Sequence, residues 1–109
     1  MARLAVVPMA LEARGLDVTP GTVSRFAGAG DDRSAAILSR IFRDEIRHVA
    51  VGTKWFESIC REAGQAPAPH WQSLIFRLSS GVVKPPFNDS ARHEAGLTLV
   101  YYGTLAVPH

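Results

Sequence analysis

At 109 residues the chain is long enough to bury one modest hydrophobic core and too short for two. Its 47% hydrophobic and 20% charged residues exclude a disordered tail. A net charge of +2 and an isoelectric point near 9.1 permit weak attraction to polyanions, but lack the dense basic cluster of a domain that neutralises many phosphates.

Helical periodicity dominates and strict alternation is absent, which predicts an all-α fold. From Arg3 to Arg14 the sequence reads as a helix, with Pro8 kinking it or marking its first turn and Gly15 stopping it. The same run superficially resembles a signal peptide, yet Glu12 and Arg14 follow at once without a small-x-small cleavage pattern. Thr19-Pro20 is a start signal: a threonine cap, then proline at the first helical position, where no donor is needed. A short helix to about Ala27 follows, ended by Gly28 and Gly30, and Asp31 or Asp32 caps the next.

The long helix is expected from about Arg33 to Ala63, stopped by Gly64 and Pro67. Leu38, Ile41, Glu45, His48, Gly52, Trp55 and Ile59 follow alternating steps of three and four, the spacing of one core-facing stripe. The lone cysteine, Cys60, has no partner for an internal disulfide and is read as packing. A helix from about Pro69 to Ser79 carries Trp71, Leu74, Ile75 and Leu78 on one side. The paired Pro85-Pro86 forces an extended stretch. Asn88 or Asp89 caps a last helix, with Ala91, Ala95, Thr98, Tyr102 and Leu105 inside and Arg92-His93 outside its apolar face. No apolar run approaches the ~18 residues needed to cross a bilayer. With the unpaired cysteine, this points to a cytoplasmic protein.

Two ionisable side chains thus interrupt an apolar seam. Burying a carboxylate without a partner costs several kcal/mol, and an imidazole also needs its nitrogens satisfied. Metal coordination supplies partners, and Glu45-x-x-His48 has the spacing used in di-iron carboxylate bundles. The competing account is a Glu-His pair satisfied inside the core. Glu12, among Met9-Ala10-Leu11 and Ala13, is a second carboxylate placed to face the same interior. Asp44-Glu45-Ile46-Arg47-His48 differs by one residue from a His-Glu-x-x-His zinc motif, but Asp44 stands where a histidine ligand would be.

Arg40, Arg43, Arg47, Lys54 and Arg61 form a basic row on the opposite face. A non-enzymatic module binding a protein partner or RNA would use that row, although no exposed aromatics are interleaved for base stacking. His70, His93 and His109 read as surface residues, and Glu94 as a poor fourth ligand.

The segments Leu11-Glu12-Ala13-Arg14-Gly15-Leu16-Asp17 with Thr19-Pro20, Ile41-Phe42-Arg43-Asp44-Glu45-Ile46 with His48-Val49-Ala50-Val51-Gly52, Trp55-Phe56, and Lys84-Pro85-Pro86-Phe87-Asn88 occur in order across most of the chain. Together they resemble an uncharacterised ferritin-like family catalogued as domain of unknown function 455. The resemblance implies a ferritin-like helical bundle with Glu12 as the lone carboxylate ligand of one helix and Glu45 and His48 as the paired ligands of the next. It implies Asp44 as an outer carboxylate holding a histidine ring. The metal would be iron as a di-iron pair, with manganese as the alternative, and any activity that of an oxygen-dependent oxidoreductase or hydroxylase.

Such a site takes one Glu and one Glu-x-x-His from each half of the bundle. The family carries its first half upstream of the segments matched here, so the 109 residues are expected to form one domain corresponding to the second half. The missing N-terminal half, or a homodimer with a symmetric second set of ligands, would complete the bundle.

Overall fold

The computed structural model describes residues 2–78 and 83–103. It is an all-α bundle with no strand among the described residues. The chain begins with an unbroken helical arm made of α1 (Ala2–Val6), a π-helical segment (Val7–Glu12) and α2 (Ala13–Gly28). Both breaks expected inside this arm are therefore absent. Gly15 keeps an ordinary negative φ and ends nothing, while Pro20 sits within α2 instead of starting a helix.

A proline inside a helix removes one amide donor and strands the carbonyl four residues back. For Pro20 that carbonyl is Leu16, and the Asn88 side-chain amide donates to its oxygen at 2.9 Å. A residue 72 positions away in sequence thus fills the gap that local rules treat as a helix boundary. Pro8 falls at the π-helical segment, where the wider turn accommodates the ring. One turn earlier, the Trp71 indole N–H donates to the Ala5 carbonyl at 3.2 Å and ties the arm to a later helix.

The chain reverses at Gly30, whose φ of +84° suits glycine, and enters α3 (Asp32–Glu62). Asp31 caps α3 by accepting from the Ser34 amide at 3.1 Å. Gly64, at φ +71°, follows its end. Then come α4 (Pro67–Leu78), α5 (Asp89–Glu94), capped by the Asn88 side chain, and α6 (Leu99–Tyr102). The single last helix expected from the sequence is broken at Gly96, φ +80°, where the Leu97 amide turns back to the Arg92 carbonyl. Leu105 lies outside the described residues.

α2 and α3 pack as an antiparallel pair; α4 packs against α1 and α3, α5 against α2 and α3, and α6 against α4. The core is built from Met9, Ala13 and Leu16 of the arm, Val49, Phe56 and Cys60 of α3, Trp71 and Ile75 of α4, and Leu97, Tyr101 and Tyr102. Trp71 meets Tyr101 edge-on with ring centroids 5.7 Å apart. Leu78, expected inside, is exposed.

The buried stripe of α3 is displaced by one residue from the expected one. Val49, Thr53, Phe56 and Cys60 face the core, with Phe42 and Ile46 packed against it. Of the expected stripe, Gly52 is buried and Leu38, Glu45 and Ile59 are half-buried. Ile41 and Trp55 are 51% and 61% exposed, and the His48 side chain is 64% exposed. One residue is ~100° of helix rotation, and the steps of three and four that define one stripe also define its neighbour. Periodicity identified which residues share a face, but packing chose the adjacent face.

One close contact fixes how the arm crosses α3. A Cβ added at Gly52 would lie 2.4 Å and 2.5 Å from two carbons of the Pro8 ring. Glycine at this position is what lets the rigid ring seat against the α3 backbone.

Candidate metal centre

Glu12 and His48 each lie one turn from the Pro8–Gly52 contact, Glu12 on the arm and His48 on α3, and Glu45 lies a further turn back along α3. The close crossing therefore brings two helices together at the level of the three expected ligands. One donor atom from each of Glu12, Glu45 and His48 lies within 4.8 Å of the others. His48 Nδ1 stands 3.9 Å from Glu45 Oε2, too long for a hydrogen bond. Metal–ligand bonds of roughly 2.0–2.2 Å place two donors of one ion about 3–4 Å apart, so small side-chain rotations close this cluster on a cation.

Burial across the cluster is graded. Glu45 is the inner member with a side chain 24% exposed, and its Oε1 is buried with no hydrogen-bond partner. Glu12 is half-buried and His48 is the outer member. Burial raises the Glu45 pKa above its ordinary 4.5, and the Glu12 carboxylate raises it further, against a smaller opposing pull from His48. A buried carboxylate oxygen without a donor, beside a second carboxylate and an imidazole nitrogen, is a donor set that a divalent cation would satisfy.

The pKa shift has a sign that can be measured. A raised pKa in the folded chain means that proton binding favours folding. This contribution is complete below the ordinary 4.5 and is lost as pH rises through the elevated value. In metal-free protein at neutral pH, Glu45→Gln is therefore expected to raise the melting temperature. The gain should shrink toward zero as the pH falls below the ordinary carboxylate range. Thermal melts across pH check this, and a lower melting temperature at neutral pH would contradict it.

Asp44 is exposed and has no hydrogen bond to His48 among the described residues. His70 stacks on Phe56 with centroids 6.0 Å apart, a packing role in place of the surface position expected, and His93 is exposed. Arg40, Arg43, Arg47, Lys54 and Arg61 are all exposed as expected. Glu57 accepts from the Tyr101 hydroxyl at 2.8 Å, which, after burial, pushes that phenol's pKa upward.

Periodicity did not reveal a second polar cluster, formed by Asp17, Asn88 and Arg92. Arg92, expected outside the apolar face, is buried between the Phe87 and Tyr102 rings at 4.8 Å from each centroid. It donates to both Asp17 carboxylate oxygens, at 2.8 and 2.6 Å. The Asn88 backbone amide also donates to Asp17 at 2.8 Å. These bonds lock the second turn of α2 to α5, five residues beyond Glu12. The available signal was the presence of Asp17 and Asn88 in the segments that carry the family resemblance.

A family model described as "Protein of unknown function (DUF455)" matches residues 1–103. An uncharacterized protein of Haemophilus influenzae (strain ATCC 51907 / DSM 11121 / KW20 / Rd) is 36% identical over 96 residues, covering 88% of this chain and 33% of the relative. The chain thus spans about a third of that relative's length. No solved structure matches. No helix among the described residues is long and apolar enough to cross a membrane.

Proposed function

The chain belongs to the family described as protein of unknown function (DUF455), and from that premise we propose that it is a ferritin-like metal-binding protein whose ligands are Glu12, Glu45 and His48. The carrying observation is the convergence of these donors from two helices to within 4.8 Å, around a buried carboxylate oxygen that has no partner.

Glu45 would be the anchoring ligand, since it loses most from having no cation. Glu12 would bind from the arm and His48 from the solvent side. Mixed carboxylate and imidazole donors suit iron, with manganese as the alternative ion. A redox-active ion with open positions would supply oxygen-dependent oxidoreductase chemistry. Asp44, exposed one turn from His48, would act as an outer acceptor toward a histidine from the other half of the bundle. The buried free thiol of Cys60 fits the reducing cytoplasm.

Expression with ferrous or manganous salt, followed by elemental analysis and native mass spectrometry, tests the reading. Glu45→Ala and His48→Ala are each expected to abolish stoichiometric metal, and Glu12→Ala to lower the metal content. Acidification is expected to release the ion, because protons compete with it for the carboxylate and imidazole donors. Unchanged metal content in both Glu45→Ala and His48→Ala would refute the assignment.

A further inference from the structure

Beside the metal ligands, α3 carries a second stripe facing away from the core. Ile37, Ile41, Asp44, His48, Val51 and Trp55 follow alternating steps of four and three along one face, and all six are exposed. Two apolar residues, an acid, a base and two apolar residues make an order that reads as its own complement when reversed. We propose that this face binds a second copy of the chain, with the two α3 helices antiparallel about a two-fold axis at the level between Asp44 and His48.

In that arrangement Ile37 meets the partner's Trp55, Ile41 meets the partner's Val51, and Asp44 meets the partner's His48. Each pair occurs twice, as an isologous interface requires. Shifting the register by one stripe position in either direction sets His48 against Ile41 or Asp44 against Val51. A parallel pairing in register sets Asp44 against the partner's Asp44 and His48 against the partner's His48. The apolar residues explain burial, and the hydrogen bond from the His48 ring N–H to the partner's Asp44 carboxylate, which a neutral ligating imidazole can make, selects orientation and register. Arg40, Arg47 and Lys54 each precede a stripe residue by one position and lie on the adjoining exposed face, at the solvent rim.

For the metal site, the proposal rests on the reading above and extends it. The axis falls at the level of the ligands, so the partner brings its own Glu12, Glu45 and His48 to the same seam. Two sets give four carboxylates and two imidazoles, the complement of a two-ion carboxylate site. One copy alone supplies half.

Sedimentation of the 109-residue chain at micromolar concentration is expected to show a species of twice the 11.8 kDa chain mass. Ile41→Glu with Trp55→Glu should give a monomer of unchanged helicity by circular dichroism, since both positions are exposed. Register is tested by mixing Ile41→Cys chains with Val51→Cys chains, both in a Cys60→Ser background, under oxidising conditions. The mixed disulfide dimer should exceed either homodimer by about tenfold, because only facing positions approach within disulfide reach. A monomeric wild-type chain, or homodimers that predominate after oxidation, would overturn the proposal. Metal content measured on the same samples separates the two readings. A metal-binding monomer sinks the interface alone, whereas a metal-free dimer sinks the metal assignment alone.

Discussion

Asp17→Ala is expected to lower the unfolding free energy by about 3–5 kcal/mol, the range for removing one partner of a buried ion pair. Asp17 and Arg92 side chains are each 1% exposed, so the guanidinium left behind has no water to replace its two lost acceptors. Its Nη1 already lacks a partner, and stacking between Phe87 and Tyr102 cannot accept hydrogen bonds from it in the plane of the group. The Asn88 amide would lose its acceptor at the same time. Urea denaturation measures the loss. Replacing both charges, as in Asp17→Leu with Arg92→Met, should cost less than the sum of the single changes, because no unpaired charge then remains. Additive losses would show that the pair is not the source of the effect.

Gly52→Ala is the second large effect, and its sign is the informative part. In an ordinary helix interior alanine is favoured over glycine by about 1 kcal/mol. Gly21 is such a position, with nothing within 4 Å of an added Cβ, so Gly21→Ala should stabilise the chain. At Gly52 the same methyl would lie 2.4 Å from the Pro8 ring, against a normal carbon contact of about 3.5–4.0 Å. The ring is rigid, so the arm and α3 must separate. A net loss of about 1–3 kcal/mol is expected from overpacking of this kind.

The same separation would pull Glu12 away from Glu45 and His48, so metal affinity should fall together with stability. Pro8→Gly removes both carbons that the methyl would meet, and in that background Gly52→Ala should cost much less. A Gly52→Ala variant as stable as Gly21→Ala would show that the helices do not meet as closely as the Pro8–Gly52 contact indicates.

Much of the local structure is legible in the sequence because its causes lie within a few residues. Asp31 and Asn88 cap the helices they were expected to cap, and Gly64 follows the end of α3. The spacing of Glu45 and His48 is likewise local, since three residues on any helix lie about one turn apart. The family segments added Glu12, which no local rule distinguishes from a solvated glutamate at a helix end.

The tertiary structure decided the points at which two local answers were equally good. Steps of three and four allowed adjacent stripes on α3, and packing of the arm and α4 buried the one through Val49 and Phe56. Glu45 was left at the edge and His48 outside the core. Pro20 was compatible with a helix start or a helix interior, and the Asn88 amide, by taking the Leu16 carbonyl, made the interior tolerable. Arg92 looked like a surface cation until Asp17, 75 residues earlier, supplied a buried counter-charge. The sequence by itself therefore determined an all-α chain with Glu45 and His48 at helical spacing and Glu12 as a third candidate ligand. Which faces turn inward, and whether Glu12 reaches the other two, depended on contacts between residues far apart in the chain, whose energies do not appear in any local window.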